Sequence, residues 1–348
     1  MLITGVAPEG NLFYFDWEPT FMIWLQNVLG PFAEKVCPIL SMLGEEYVMI
    51  AVFAVFYLWL NKEAGRYIGT NFVTCLCWNP FIKNIFLRVR PYLADEGIKC
   101  LKPVDESAPL NDMAAQGYSF PSGHSCNAAT MYGSVAAFFR RWWLWLLAAV
   151  LILLVGFSRV AVGVHYPTDV LTGWALGFLL ILVVSLLQKH IKKRWLLFLI
   201  LTVPLIPGWF FCASNDFFTG FGIQVGFFCG MLFDDKYVRF KNTRNVLYGI
   251  LRVLGGMAIY LGLSNILKLP FPHEMREAND FLAHLIRAGR YAVTTFTVSG
   301  VYPMLFNVID KRLEKWKAAR TPEVTSEDVQ DDKGLDKKDT SAEDTKQV

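Results

Sequence analysis

The chain has 348 residues, of which 54% are apolar and only 18% charged, with a net charge of +3 and a mean hydropathy of +0.36. Soluble domains carry about 25% charged residues, so the composition argues against a water-soluble globular protein. No basic patch interleaved with aromatics stands outside the apolar runs, which argues against nucleic acid as a partner.

In chain order, the first stretch has no basic region ahead of an apolar one, as a cleavable signal would need. Residues 1–44 read as an N-terminal extracytoplasmic or interfacial segment. Within it, 21–43 is apolar but broken by Gln26, Asn27, Gly30, Pro31, Glu34 and Lys35, which predicts a bent amphipathic helix at the membrane surface. Apolar runs then predict spans at 46–61, 67–87, 124–139, 142–158, 167–188, 195–212, 216–233, 245–265 and 281–308. The expected fold is all-α: a polytopic membrane bundle of about nine transmembrane helices plus the interfacial one. Residues 45–190 form the core and 191–312 add further spans. Between the second and third spans, 91–120 is too long for a turn and carries Pro91, Pro103 and Pro109, which suits a loop covering a site. The tail, 313–348, is rich in Lys, Asp, Glu, Ser and Thr and is expected to be disordered.

Lys and Arg fall in alternate loops: Lys62 and Arg66, Arg140 and Arg141, Lys189 to Arg194, Lys236 to Arg244, and Lys311 with Arg312. That face is cytoplasmic by the positive-inside rule, and the tail lies with it. The cysteines, including Cys75-x-Cys77, form neither a redox nor a zinc pattern and read as small core residues. His284, Arg287 and Arg290 open the last span on the outer side and read as interfacial anchors in preference to head-group contacts; Asn215 and Asp216, on the active-site face, suit a helix cap at least as well as substrate contact, and Arg252 reads as snorkelling to the cytoplasmic side. Pro204 and Pro207 predict a kink.

Three polar blocks interrupt this pattern. They are Lys83 with Arg90-Pro91, then Pro121-Ser122-Gly123-His124, then Ser158-Arg159 with His165 and Asp169. All fall at helix ends on the extracytoplasmic face, where converging ionisable groups signal function rather than anchoring. Lys83, Arg90 and Arg159 can neutralise phosphoryl oxygens, the arginines bidentately. Backbone N–H groups at Ser122, Gly123 and His124, where a helix begins, can hold an anion. His165 and Asp169 are spaced i, i+4, so the carboxylate can fix the imidazole and raise its basicity, as a nucleophile needs. His124 has no such partner in sequence and suits protonation of a leaving oxygen. A metal held by the two His and the Asp is disfavoured, because three cations would repel it.

Lys83-x6-Arg90-Pro91, Pro121-Ser122-Gly123-His124 and Ser158-Arg159-x5-His165-x3-Asp169 resemble the three-part signature of the type-2 phosphatidic-acid phosphatase superfamily. The resemblance covers about residues 45–190. It implies a helical-bundle core, no cofactor, and metal-independent hydrolysis through a phosphohistidine. On that resemblance His165 is the nucleophile, Asp169 its partner and His124 the general acid. Lys83, Arg90 and Arg159 hold the phosphoryl group, with Ser122 and Gly123. Vanadium haloperoxidases share the signature but are soluble.

The extra spans after the core, and an N-terminal segment placed outside, are similar to the layout of glucose-6-phosphatases and sphingosine-phosphate phosphatases. "SFPSGHS" and "GVHYPTDVLTGW" look more like bacterial lipid phosphatases and undecaprenyl diphosphatases, which implies the plasma membrane of a bacterium. The expected substrate is a lipid phosphate or diphosphate, such as phosphatidic acid or an isoprenyl diphosphate. Alternatives on the same site are a phosphosugar or sphingoid-base phosphatase, a phosphotransferase, and a non-catalytic transporter or binder of anionic lipid. A binder needs the cations but has no use for His124, His165 and Asp169 together. The sequence leaves the oligomeric state open.

Overall fold

A computed structural model describes residues 10–276, 278 and 280–318. It divides into two units, Met1–Met304 and Leu305–Val348. Among the described residues the regular structure is helical, apart from an isolated parallel bridge between Asn11 and Arg88.

The centre of the first unit is the Lys62–Phe86 helix. Asn61 caps its start by accepting from the Ala64 N–H at 3.0 Å, and Leu87 ends it in the left-handed region at φ 55°. The Gly123–Phe139 helix packs on this central helix and also touches Trp142–Ala161 and Pro167–His190. Gly173 and Gly177 allow one of these close approaches: a Cβ there would stand 2.7 Å from the Ser122 carbonyl and 2.7 Å from Ala129 Cβ. On its other side the central helix meets Asn215–Phe233, which packs against Phe281–Phe296.

Among the described residues, seven helical runs are long and apolar enough to cross a membrane. They are Pro31–Leu60, Trp142–Ala161, Pro167–His190, Arg194–Phe211, Asn215–Val238, Val246–Ile266 and Phe281–Trp316. The protein is therefore an integral membrane protein. The expected spans at 67–87 and 124–139 are helical, but they are not in this set. One is rich in polar residues and the other, Gly123–Phe139, has only 17 residues. Both lie inside the bundle, where other helices rather than lipid surround them. Thr70, Asn71, Thr74 and Asn84 of the central helix are buried, and each donates to the carbonyl four residues back at 2.7–3.0 Å. Polarity on an enclosed helix is tolerated once its donors are satisfied.

Residues 21–43 also depart from expectation. They do not form one bent helix: Trp17–Leu29 ends at Gly30, and the rest belongs to the segmented Pro31–Leu60 run. Trp17–Leu29 buries Glu18, Met22, Leu25 and Gln26 on one face, against Ile98, Val160–Val164 and Val170. Its opposite face exposes Trp17, Phe21, Trp24 and Val28. The predicted kink is present, as Arg194–Thr202 gives way at Val203–Leu205 to a 3-10 turn containing Pro204. The Met304–Ala318 helix, which lies in the second unit from Leu305 on, runs through residues 313–318, where the composition predicts disorder. The rest of the charged tail lies outside the described residues.

Candidate active site

Lys83 lies in the last turn of the central helix and Arg90 just beyond it, ahead of a short Pro91–Ala94 helix. Gly123 and His124 open the Gly123–Phe139 helix, whose cap is Ser122. Arg159 lies in the last turn of Trp142–Ala161, and His165 in the connection to Pro167–His190. Gly163 makes that connection possible. It has φ 82°, and a Cβ there would stand 2.1 Å from the Lys99 carbonyl oxygen.

These segments converge. Lys83, Arg90, Gly123, His124, Arg159 and His165 all line one cavity of about 730 Å³. Arg90 is held by carbonyls: its Nε donates to Gln116 and Gly117 at 2.9 and 3.0 Å, and Nη1 to Val164 at 3.0 Å. Arg159 Nη1 donates to Ser41 Oγ, and its buried Nε has no protein partner. None of Lys83, Arg90 and Arg159 forms an ion pair among the described residues. An anion of phosphate size would find three cations, none of them bonded to a carboxylate.

Two predicted residues stand behind the cavity rather than in its wall. The Ser122 hydroxyl is buried and turned into its helix, accepting from the Ser125 N–H at 3.4 Å and bonded to the Ser125 hydroxyl at 2.9 Å. Asp169 Oδ2 lies 3.5 Å from His165 Nδ1, yet the pair makes no hydrogen bond and Nδ1 is buried without a partner. The carboxylate is engaged elsewhere: Oδ2 accepts the Tyr166 N–H at 2.8 Å and Oδ1 accepts from Arg88 Nη1 at 2.5 Å. Burial first, then the cations of Arg90, Arg159 and Lys83, push the His165 imidazole well below its ordinary value. Its neutral form, the one with a free lone pair, is favoured.

Sequence reasoning missed part of the wall. The 91–120 loop lines the cavity through Asp105, Asp112 and the Ala115–Tyr118 stretch, so it does border the site. Gln116 shapes this loop, accepting the Val104 N–H at 3.0 Å and donating to the Asp105 carbonyl at 2.8 Å. Asn215 and Asp216 are lining residues, and the cap of their helix is Ser214 instead. Arg287 also lines the cavity, which corrects its reading as an anchor. His284 is buried and stacks on Phe218 at 3.7 Å, and Arg290 is buried and donates to the Ser264 carbonyl at 3.1 Å. Arg252 likewise is buried, donating to the Lys241 carbonyl at 2.8 Å rather than reaching water.

Parts of the chain resemble known proteins. A family model described as the PAP2 superfamily matches residues 63–193, and a second, PAP2 superfamily phosphatase, transmembrane extension, matches 218–314. An undecaprenyl-diphosphatase of Sulfolobus acidocaldarius is 33% identical over 140 residues, 40% of this chain and 62% of that protein. Phosphatidylglycerophosphatase B of Bacillus subtilis is 39% identical over 107 residues, 28% of this chain and 51% of that one. A lipid A 4'-phosphatase of Porphyromonas gingivalis is 28% identical, with 42% and 61% covered. The chain thus spans between 51% and 62% of these curated relatives' lengths. A solved PAP2-type phosphatidylglycerolphosphate phosphatase from Bacillus subtilis is 26% identical, with 51% of this chain and 98% of that one covered at a TM-score of 0.37. The three polar blocks lie within the first matched region and most of the helices from Asn215–Phe233 onward within the second, so the chain carries a PAP2 superfamily domain followed by that superfamily's transmembrane extension.

Proposed function

We propose that this protein is a membrane phosphatase that hydrolyses a lipid phosphate or diphosphate through a phosphohistidine on His165, without a metal. The observation that carries the reading is the gathering of Lys83, Arg90, His124, Arg159 and His165 around one cavity, from segments up to 82 positions apart (165 − 83). The curated relatives named above are phosphatases of lipid or lipid-linked phosphates, which supports the substrate class.

In the first step, His165 Nε2 forms a bond to phosphorus as the bond from phosphorus to the leaving oxygen breaks. His124 gives that oxygen its proton, and the three cations balance charge on the phosphoryl oxygens. Asp169, at 3.5 Å from Nδ1, is close enough to favour the cation that develops on the ring. In the second step His124 takes a proton from water, water oxygen bonds to phosphorus, the P–N bond breaks and phosphate leaves. A Cβ at Gly123 would stand 3.3 Å from Asn79 Oδ1 and 3.9 Å from Lys83 Nζ, so glycine keeps the space beside Lys83 open for a phosphoryl oxygen.

The site opens on the extracytoplasmic face in this reading. The opposite end of the central helix carries Lys62 and Arg66 beside Arg194 and Lys236, as cytoplasmic loops do. Purified protein in detergent with EDTA should release phosphate from phosphatidic acid or an isoprenyl diphosphate, the better of the two naming the class. Turnover that appears only when divalent metal is added would overturn the metal-independent mechanism.

A further inference from the structure

Asp169 is held by a residue that the proposed mechanism leaves without a role. Arg88 Nη1 bonds Asp169 Oδ1 at 2.5 Å, while Nη2 bonds Glu18 Oε2 at 2.8 Å. All three side chains are buried. The guanidinium is fixed further: Nε donates to the Phe13 carbonyl at 2.7 Å, and the group lies over the Tyr166 ring at 4.0 Å. Glu18 is fixed as well, with Oε1 accepting from the Thr168 N–H at 3.1 Å and its hydroxyl at 2.6 Å. The Phe15 N–H reaches Oε2 at 3.0 Å. Backbone bonds from Asn11 to the Leu87 carbonyl and from Val89 to the Asn11 carbonyl, at 2.7 and 3.0 Å, tie the N-terminal strip to the segment carrying Arg88.

A buried charge network adds little net stability compared with apolar packing of the same volume, so its presence points to a task other than holding the fold. We infer that Glu18 and Arg88 are positioning residues of the active site, setting the place and the net charge of Asp169 behind His165. This rests on the phosphohistidine reading. Glu18 (−1), Arg88 (+1) and Asp169 (−1) sum to −1, one negative charge facing the ring on which a positive charge develops. Glu18 lies before residue 63, outside both matched family regions. The N-terminal helix, whose other face presents Trp17, Phe21 and Trp24, is therefore a working part of the site.

The charge sum gives the variants opposite signatures. His165 faces Asp169 on one side and Lys83, Arg90, Arg159 and His124 on the cavity side. Arg88→Gln leaves −2 behind the ring, favours its protonation, and moves the acid limb of kcat/KM to higher pH. Glu18→Gln leaves 0 and moves that limb to lower pH. The double variant restores −1 and returns the limb to the wild-type position. Both single variants lower kcat more than they raise KM, by about 10- to 100-fold, the scale on which partners of site residues act. Arg88→Lys keeps the charge but not the two-sided grip, so kcat falls while the limb stays. Glu63→Gln, the same chemical change at an exposed position at the far end of the central helix, leaves the profile in place.

The measurement is the pH profile of phosphate release by the detergent-solubilised full chain, with thermal unfolding to confirm that each variant is folded. Limbs that do not move, or that move in the same direction, overturn the inference while leaving the phosphatase reading intact. A folded wild type that releases no phosphate from any lipid phosphate overturns the reading itself, and this inference with it.

Discussion

The two ends of the central helix treat charge in opposite ways. At the Lys62 end, cations are matched by carboxylates: Lys62 and Arg66 both reach Asp234, at 2.5 and 2.6 Å, and Arg66 and Arg194 both reach Asp235, at 2.7 and 2.5 Å. At the Lys83 end, three cations line a cavity with no ion-pair partner among the described residues. The first arrangement ties the start of the central helix to the end of Asn215–Phe233, across 168 positions of sequence. The second leaves three cations without a bonded carboxylate, although Glu46, Asp105, Asp112 and Asp216 line the same cavity, and so leaves their donors open to an anion. Arg88 is the instructive exception at that end, being spent on Glu18 and Asp169 rather than on substrate.

This contrast is sharpest for substitutions that remove charge. Arg159→Gln and Lys83→Met should each lower kcat/KM by about 100- to 1000-fold, the scale of losing one stabilising donor. They should leave the thermal midpoint unchanged or higher, because an unmatched buried cation is removed. Both values come from one purified sample, by phosphate release and by unfolding in detergent. At the other end, Asp234→Asn leaves Lys62 without a carboxylate, while Arg66 keeps Asp235 and Glu63, and should cost about 3 kcal/mol of stability. Turnover per folded molecule should change little. A drop in midpoint at the Lys83 end, or a large fall in turnover per folded molecule at the Asp234 end, would erase the distinction.

A smaller effect concerns pH. Burial and the neighbouring cations lower the His165 pKa. On the proposed mechanism the His165 imidazole therefore stays neutral, and able to attack, as pH falls through the usual imidazole value near about 6.5. The acid limb of kcat/KM should appear only below that. Replacing Arg159 with Gln removes one of those cations and should move the limb upward.

Local pattern made the long apolar helices legible, as well as the three blocks whose spacing carries the chemistry. Four kinds of feature stayed out of reach, each for a physical reason. The central helix and Gly123–Phe139 are helices where the sequence predicts spans, but their runs did not show that other helices enclose them. Arg88 stands two positions from Arg90 in the same block, yet one points to Asp169 and the other to loop carbonyls. Spacing alone does not tell a substrate cation from a supporting one. Glu18 and Arg287 reach the site region from far along the chain, and nothing near them in sequence hints at a partner. For Asp169, spacing placed it beside His165 but did not show that its oxygens are already occupied by Arg88 and the Tyr166 N–H.

The central claim is that unmatched cations hold a phosphoryl group while the His165 imidazole attacks it. Rapid quench with a substrate carrying radiolabelled phosphate tests it directly, because a phosphohistidine is labile in acid and survives alkali. The wild type should show transient label with that stability on the peptide containing His165, and His165→Ala should show neither label nor turnover. Label on Ser122, or undiminished phosphate release by the His165→Ala protein, would contradict it.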